Sequence, residues 1–299
     1  MTIKCYQLTS RGIIPLDISA STLDEMTRAL PQGFYTTFTT LAGGTRVLGL
    51  RSHLQRLYVP ANELGLRPGV DEGTLRQHIT ESVKENLPKE SRVRLILTKE
   101  KGEVYVGVEP FAPLPESVYR KGVRVVTTEM ARHDPRIKDT GFISESSTQR
   151  GLLGGEIFEV LLTRNGKILE GMTSNFYIIK HVIASRQAKQ SSVGGGLLPR
   201  FAGRNDIRLI TARQGILPGV TRSVVLKLAR GEGMSIEYRA PRVAPREDFD
   251  EAFLTSSSRG VVPVVMMDDK TVGQGKVGEV TRRLSEAYEA YLKKHAERI

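Results

Sequence analysis

The chain has 299 residues, 39% of them hydrophobic, with 44 Lys and Arg against 33 Asp and Glu, a formal charge of +11 and one cysteine. That much apolar material can bury a sizeable core, which excludes a disordered chain. The lone Cys5 excludes an internal disulfide framework and any multi-cysteine metal site, and fits a reducing cytoplasm.

The opening MTIKCYQLTSRGIIPL lacks the long apolar core of a signal peptide. No apolar run approaches the ~20 residues of a membrane span. A basic surface attracts nucleic acid, acidic lipid or anionic small molecules. Here the cations are spread along the chain, and the densest cluster, Arg186 to Arg213, is loop-like. No zinc-finger spacing or RNP-type aromatic motif accompanies them, so a basic soluble surface with some anion-binding residues is expected rather than nucleic-acid binding.

In chain order, FYTTFTT (34–40) is rich in β-branched and aromatic residues. Gly43-Gly44 then turns it into Arg46-Val47-Leu48, a hairpin pattern. LRSHLQRLYVPANELGL changes period: Leu50, Leu54, Leu57, Ala61 and Leu64 share one helical face, and Pro60 is expected to kink or divide the helix. Leu75, Ile79, Val83 and Leu87 mark a second amphipathic helix, stopped by Pro88. Residues 92–97 and 103–108 read as strands around a Lys101-Gly102 turn. The Pro113/Pro115 stretch reads as a linker, and strand character resumes at Val123.

The stretch from Arg136 to Lys180 sets Lys138 before a short helix, then an apolar strand, a tight Asn165-Gly166 turn and LEGMTSNFYII. His181 to Asp206, with Gly194-Gly195-Gly196, reads as an insertion, lid or surface loop. LPGVTR (217–222) opens a helix with Val224, Val225 and Leu228 inward. Two further strands flank the hydroxyl-rich Thr255 to Ser258. A last helix places Val280, Leu284, Tyr288 and Tyr291 on one side.

Gly273-Gln274-Gly275-Lys276-Val277-Gly278 is formally GxGxxG. A dinucleotide site needs a following strand with an acidic ribose partner, and only one helix follows here. A lysine that forms a Schiff base must lie close to an aldehyde and be able to deprotonate. Lys138 by itself reads as one more solvated lysine; the order of motifs around it changes that reading.

The ordered set HLQRL, RIKDTGF, LEGMTSNFYII, LPGVTR, FLTSSSRGVVPV and QGKVGEVTRRL resembles the fold-type IV pyridoxal-phosphate enzymes, the class IV aminotransferases. This family includes branched-chain and D-amino-acid aminotransferases and aminodeoxychorismate lyases. The resemblance runs from Ser52 to Leu284. It implies a mixed α+β fold of two domains: a small N-terminal α/β sandwich (1–114), a linker (115–122) and a larger barrel-like domain (123–299). It also implies a homodimer with pyridoxal 5'-phosphate between the domains.

By the same resemblance Lys138 is the Schiff-base lysine and proton shuttle, and Glu170 is the carboxylate beside the pyridine nitrogen. Arg56 is the phosphate arginine of the HxxRL helix, with His53 structural. Val220 and Thr221 form one phosphate turn, Ser257 and Ser258 a second, and Ser174 and Asn175 complete the cofactor side. Branched-chain members carry a tyrosine five residues after the lysine, near the cofactor ring hydroxyl; here it is Ile143. Their FEGIR-like strand is replaced by GFYTTFTTL, which puts Tyr35, Thr37 and Thr39 at alternate, pocket-facing positions.

Arg94 reads equally as a partner for a substrate carboxylate or as a strand-edge charge. The implied reaction is amino transfer between an amino acid, of branched-chain or D-type, and a 2-oxo acid. The alternatives are a lyase releasing 4-aminobenzoate and pyruvate and, in another class, a non-catalytic anion or nucleic-acid binder.

Overall fold

In the computed structural model, residues 3–181, 207–243 and 248–299 are described. The expected insertion beyond His181 therefore lies outside the described residues. The first half of the chain builds β1 (Lys4–Thr9), β2 (Gly12–Leu16), α1 (Leu23–Arg28), β3 (Gly33–Leu41), β4 (Arg46–Val47), α2 (Leu50–Glu63), α3 (Glu72–Val83), β5 (Ser91–Thr98) and β6 (Val104–Pro110). Next come α4 (Glu116–Lys121), β7 (Val123–Glu129), α5 (Gly141–Glu145), α6 (Ser147–Arg150), β8 (Ile157–Arg164), β9 (Lys167–Gly171) and β10 (Asn175–His181). The remainder forms β11 (Ile207–Thr211), α7 (Val220–Gly231), β12 (Ser235–Tyr238), β13 (Glu251–Ser256), β14 (Gly260–Met267), β15 (Lys270–Thr271), α8 (Glu279–His295) and β16 (Glu297–Arg298).

Two sheets result. The first is antiparallel, in the order β16-β4-β3-β5-β6-β1-β2. The second is mixed, in the order β12-β11-β10-β13-β14-β7-β8-β9, with β15 on β14. Asn165 (φ 51°) and Gly166 (φ 67°) both adopt left-handed backbone, the requirement of the two-residue hairpin that joins β8 to β9.

The apolar face of α2, Leu50, Leu54, Leu57 and Ala61, is fully buried against β3 and β5. Each leucine so buried contributes about 1.5–3 kcal/mol. Pro60 does not divide α2. It falls in the last turn, where its missing N–H forfeits a single hydrogen bond. Leu64 and Leu87 are exposed, because α2 ends at Glu63 and α3 at Val83.

On α8, Val280, Leu284 and Tyr288 pack on the second sheet with Tyr177 and Phe253. The chain then returns to the first sheet: β16 pairs β4, so a cut between residues 114 and 123 does not separate the two sheets. Glu297 Oε1 accepts from the Leu50 N–H at 2.9 Å, capping α2 from the far end of the sequence.

Candidate active site

Lys138 lies on the segment between β7 and α5, and β3 fixes its position. The Tyr35 N–H donates to the Lys138 carbonyl at 2.8 Å, and the Thr140 N–H to the Gly33 carbonyl at 2.9 Å. The Gly33 N–H in turn donates to Thr140 Oγ1 at 2.9 Å. Lys138 Nζ sits 4.8 Å from the centre of the Tyr35 ring. Burial pulls its amine well below the usual lysine value, and the charges of Arg56, Arg94, Arg132 and Arg92 add to the effect. The amine is thereby deprotonated more readily, as a nucleophile requires. His53 is buried one turn before Arg56 and hydrogen-bonded through Nδ1 to Thr36 Oγ1 at 2.7 Å. Burial, then Arg56 and Lys138, hold it well below its usual value, so it is a neutral packing residue.

Glu170 is the next-to-last residue of β9 and is 2% exposed. Oε1 accepts from Arg132 Nε at 2.7 Å; Oε2 accepts from the Leu217 N–H at 2.9 Å and from Asn175 Nδ2 at 3.4 Å. Burial raises the carboxyl, and Arg132 and the Leu217 N–H oppose the rise. Arg132 is anchored in turn by the Met172 carbonyl at 2.9 Å and lies over the Phe142 ring at 3.8 Å.

The N-terminus of α7 forms an anion cradle. Gly219 is its N-cap, no side chain caps it and no acidic residue lies in its first turn. Its free N–H groups and its dipole favour an anion. A Cβ on Gly219 would lie 2.3 Å from Asn175 Oδ1, so any side chain there must displace the Asn175 amide. Arg56 reaches this turn and donates to the Pro218 carbonyl. Burial lowers its guanidinium to about 10, still charged at neutral pH. Arg222 ties α7 to β11 through the Ala212 carbonyl at 2.7 Å.

One cavity of about 510 Å³ is lined by Lys138, Glu170, Arg56, Tyr35, Thr37, Arg94, Ser174, Asn175, Val220, Thr221, Ser257 and Ser258. The structure thus gathers every sequence-nominated residue except Thr39. Thr39 follows the alternation but lies farther along β3, where Oγ1 donates to the Ser257 carbonyl at 3.3 Å and the side chain faces an adjoining cavity. The Thr221 hydroxyl shares a 3.3 Å hydrogen bond with Tyr288 Oη.

The strand-edge reading of Arg94 does not hold. Strand β5 is interior, not an edge. The guanidinium is held by Asp24 at 2.7 Å, by Thr27 Oγ1 and the Leu23 carbonyl at 2.9 Å, and by Thr37 Oγ1 at 3.1 Å. It is first of all an anchor of the pocket wall.

The residues fit pyridoxal phosphate on the structure's own terms. An amine with a lowered proton affinity, a buried carboxylate and an uncapped helix N-terminus with an arginine face one cavity. Sequence reasoning missed Arg132, Glu159 and Arg259. Glu159 is wholly buried; it accepts from Ser174 Oγ at 3.1 Å, from Arg259 Nη2 at 3.0 Å and from Thr173 Oγ1 at 2.5 Å. It joins the loop after β9 to the turn after β13. Glu159 sits in an apolar run, IFEVLL, where a carboxylate is out of pattern, and that was the available signal.

Residues 33–266 match the model of the family described as amino-transferase class IV. A D-alanine aminotransferase of Bacillus licheniformis is 26% identical over 250 residues, 80% of each chain. A branched-chain-amino-acid aminotransferase of Pseudomonas aeruginosa is 24% identical over 266 residues, 82% of this chain and 78% of the relative. Among solved structures, a hypothetical aminotransferase from Mycobacterium tuberculosis in its PLP-bound form superposes with a TM-score of 0.70 at 21% identity, covering 96% of this chain and 98% of the other. The chain belongs to the class IV aminotransferases, a family of pyridoxal-phosphate-dependent enzymes.

Proposed function

We propose that the protein moves an amino group between an amino acid and a 2-oxo acid, with Lys138 holding the cofactor aldehyde carbon as a Schiff base. The observation that carries this reading is the shared cavity of Lys138 and Glu170, with the α7 N-terminus and Arg56 at its wall. When bound, the cofactor supplies an electron sink for the carbanion formed at the substrate Cα. Lys138 Nζ, once released, would carry the proton from the substrate Cα to the former aldehyde carbon of the cofactor. Glu170, ion-paired with Arg132 and bonded to the Leu217 N–H, would hold a proton on the pyridine nitrogen. Arg56, the N–H groups of Val220 and Thr221, and the hydroxyls of Ser257 and Ser258 bind the phosphate, while Ser174 and Asn175 brace the Glu170 side.

Tyr35, Thr37 and Arg94 form the substrate wall. The residues up to 114, joined by β16, and the rest of the chain from 123 onward act as two units around the cofactor, and the protein works as a homodimer in the cytoplasm. Among the described residues no helix is long and apolar enough to cross a membrane.

The test is a visible absorption band that borohydride abolishes and that Lys138→Ala lacks. Absence of that band after incubation with pyridoxal phosphate refutes the assignment. Amino acids with 2-oxoglutarate or pyruvate then define the reaction; pyruvate release without an amino acceptor would point to a lyase instead.

A further inference from the structure

A second cavity, of about 640 Å³, adjoins the first. Phe111, Val220, Thr221, Ser257, Ser258 and Arg259 line both, so the same turns wall the Lys138 cavity on one side and this one on the other. The rest of its lining is largely apolar: Phe38 and Leu41 of β3, Leu48, Leu292 of α8 and Ala296 just after it. An apolar recess of this size with a few polar groups is the usual form of a small-molecule site.

Most of the polar groups that face it are committed. Thr39 Oγ1 donates to the Ser257 carbonyl, Tyr119 Oη donates to the Arg259 carbonyl at 2.9 Å, and the Thr221 and Tyr288 hydroxyls share a bond. Arg46 donates to the Ala296 carbonyl at 3.0 Å, and Arg259 is paired with Glu159. Lys293 is exposed to solvent.

Three groups remain. His53 is 1% exposed and lines this cavity, not that of Lys138. Its Nδ1 meets Thr36 Oγ1, a buried hydroxyl with no other partner among the described residues, so the hydroxyl hydrogen goes to Nδ1. The neutral ring then carries its own hydrogen on Nε2, a donor without a partner among the described residues. A buried donor is costly until something accepts from it.

The other two groups are Glu90, half-buried, and Glu289, exposed at the rim. Neither has an ion pair among the described residues. Desolvation raises both carboxyls above the ordinary value, and Glu90 adds to the rise of Glu289 while Lys293 opposes it. Two negative charges therefore share one opening.

We propose that this second cavity binds a small organic cation, with a hydrogen-bond acceptor on its apolar body toward His53 Nε2 and its ammonium group at the Glu90 and Glu289 rim. An anion at the rim would meet two carboxylates, and a purely apolar molecule would leave the His53 N–H unpaired. The occupant takes no part in amino transfer, because the Val220–Thr221 and Ser257–Ser258 turns stand between it and Lys138.

Calorimetric titration of the cofactor-loaded protein with benzoylcholine tests this. The quaternary nitrogen cannot condense with the cofactor aldehyde, and the ester carbonyl supplies the acceptor. Neohexyl benzoate has the same shape without the charge. One saturable site per chain is expected. At low salt benzoylcholine is expected to bind about tenfold more tightly than neohexyl benzoate, and the Glu90→Gln, Glu289→Gln double variant to erase that margin. Both residues lie outside the Lys138 cavity, so the variant is expected to keep its visible band, which also shows that it is folded. Absence of saturable binding, equal affinity for the two esters, or a margin that survives the double variant would each overturn the proposal.

Discussion

The backbone N–H of Tyr35 donates to the carbonyl of Lys138 at 2.8 Å, across 103 positions of sequence. This bond makes the lysine segment an extension of β3, and with Thr140 on Gly33 it sets where the amine enters the cavity. The first sheet therefore does more than wall the site, because it positions the Lys138 amine carried by the other half of the chain.

Arg132 and Glu170 form a buried pair, with side chains 5% and 2% exposed. Arg132→Met leaves the Glu170 carboxylate buried with only the Leu217 N–H and Asn175 as partners. A loss of about 3–5 kcal/mol in unfolding free energy is expected in chemical denaturation. A loss under 1 kcal/mol would show that the remaining donors suffice.

Lys138 opposes folding of the cofactor-free protein. Its folded proton affinity lies well below that of the unfolded chain, so the unfolded state binds a proton that the native state refuses. The cost is absent above the unfolded lysine value near 10.4 and grows as pH falls through it. Cofactor-free Lys138→Met is therefore expected to melt higher than the cofactor-free wild type at pH 7, with the gap narrowing toward pH 10.5. Equal melting temperatures at pH 7 would contradict the burial of the amine.

Arg56→Ala removes the guanidinium at the α7 turn. Charge-assisted hydrogen bonds contribute about 1.5–3 kcal/mol, so cofactor affinity is expected to fall roughly 10- to 100-fold. At saturating cofactor the rate is expected to change less than the affinity. Equilibrium titration against the absorption band measures the affinity and a timed assay at saturation the rate; unchanged affinity would assign the phosphate to another cation.

Gly219→Ala drives a Cβ to 2.3 Å from Asn175 Oδ1. The amide must move, which loosens its 2.9 Å bond to the Leu217 carbonyl and its contact with Glu170. Overpacking of this kind costs about 1–3 kcal/mol, and cofactor retention is expected to weaken alongside. Unchanged denaturation midpoint and retention would show that the turn can widen at no cost.

Much of this was legible in the sequence, because local chemistry dictated it. The period of Leu50, Leu54, Leu57 and Ala61 settles a helix and its buried face, and Asn165-Gly166 settles a hairpin, since both depend on near neighbours and on what a backbone tolerates. Gly219 before Val220-Thr221 announces a helix N-terminus open to an anion for the same reason. The order of motifs identified the family and nominated Lys138, Glu170 and Arg56.

What only the tertiary structure decided depends on partners far away in the chain. Arg132 becomes a counter-ion through Glu170, 38 positions on, and Arg94 an anchor through Asp24, 70 positions back. Glu159 joins two loops from inside an apolar strand, and Thr39 keeps the alternation yet opens on a neighbouring cavity. Outside an apolar run such as that around Glu159, a charged side chain carries no local mark of whether water or another residue will solvate it. Which arginines of this basic chain meet a carboxylate is settled when the two sheets close around Lys138.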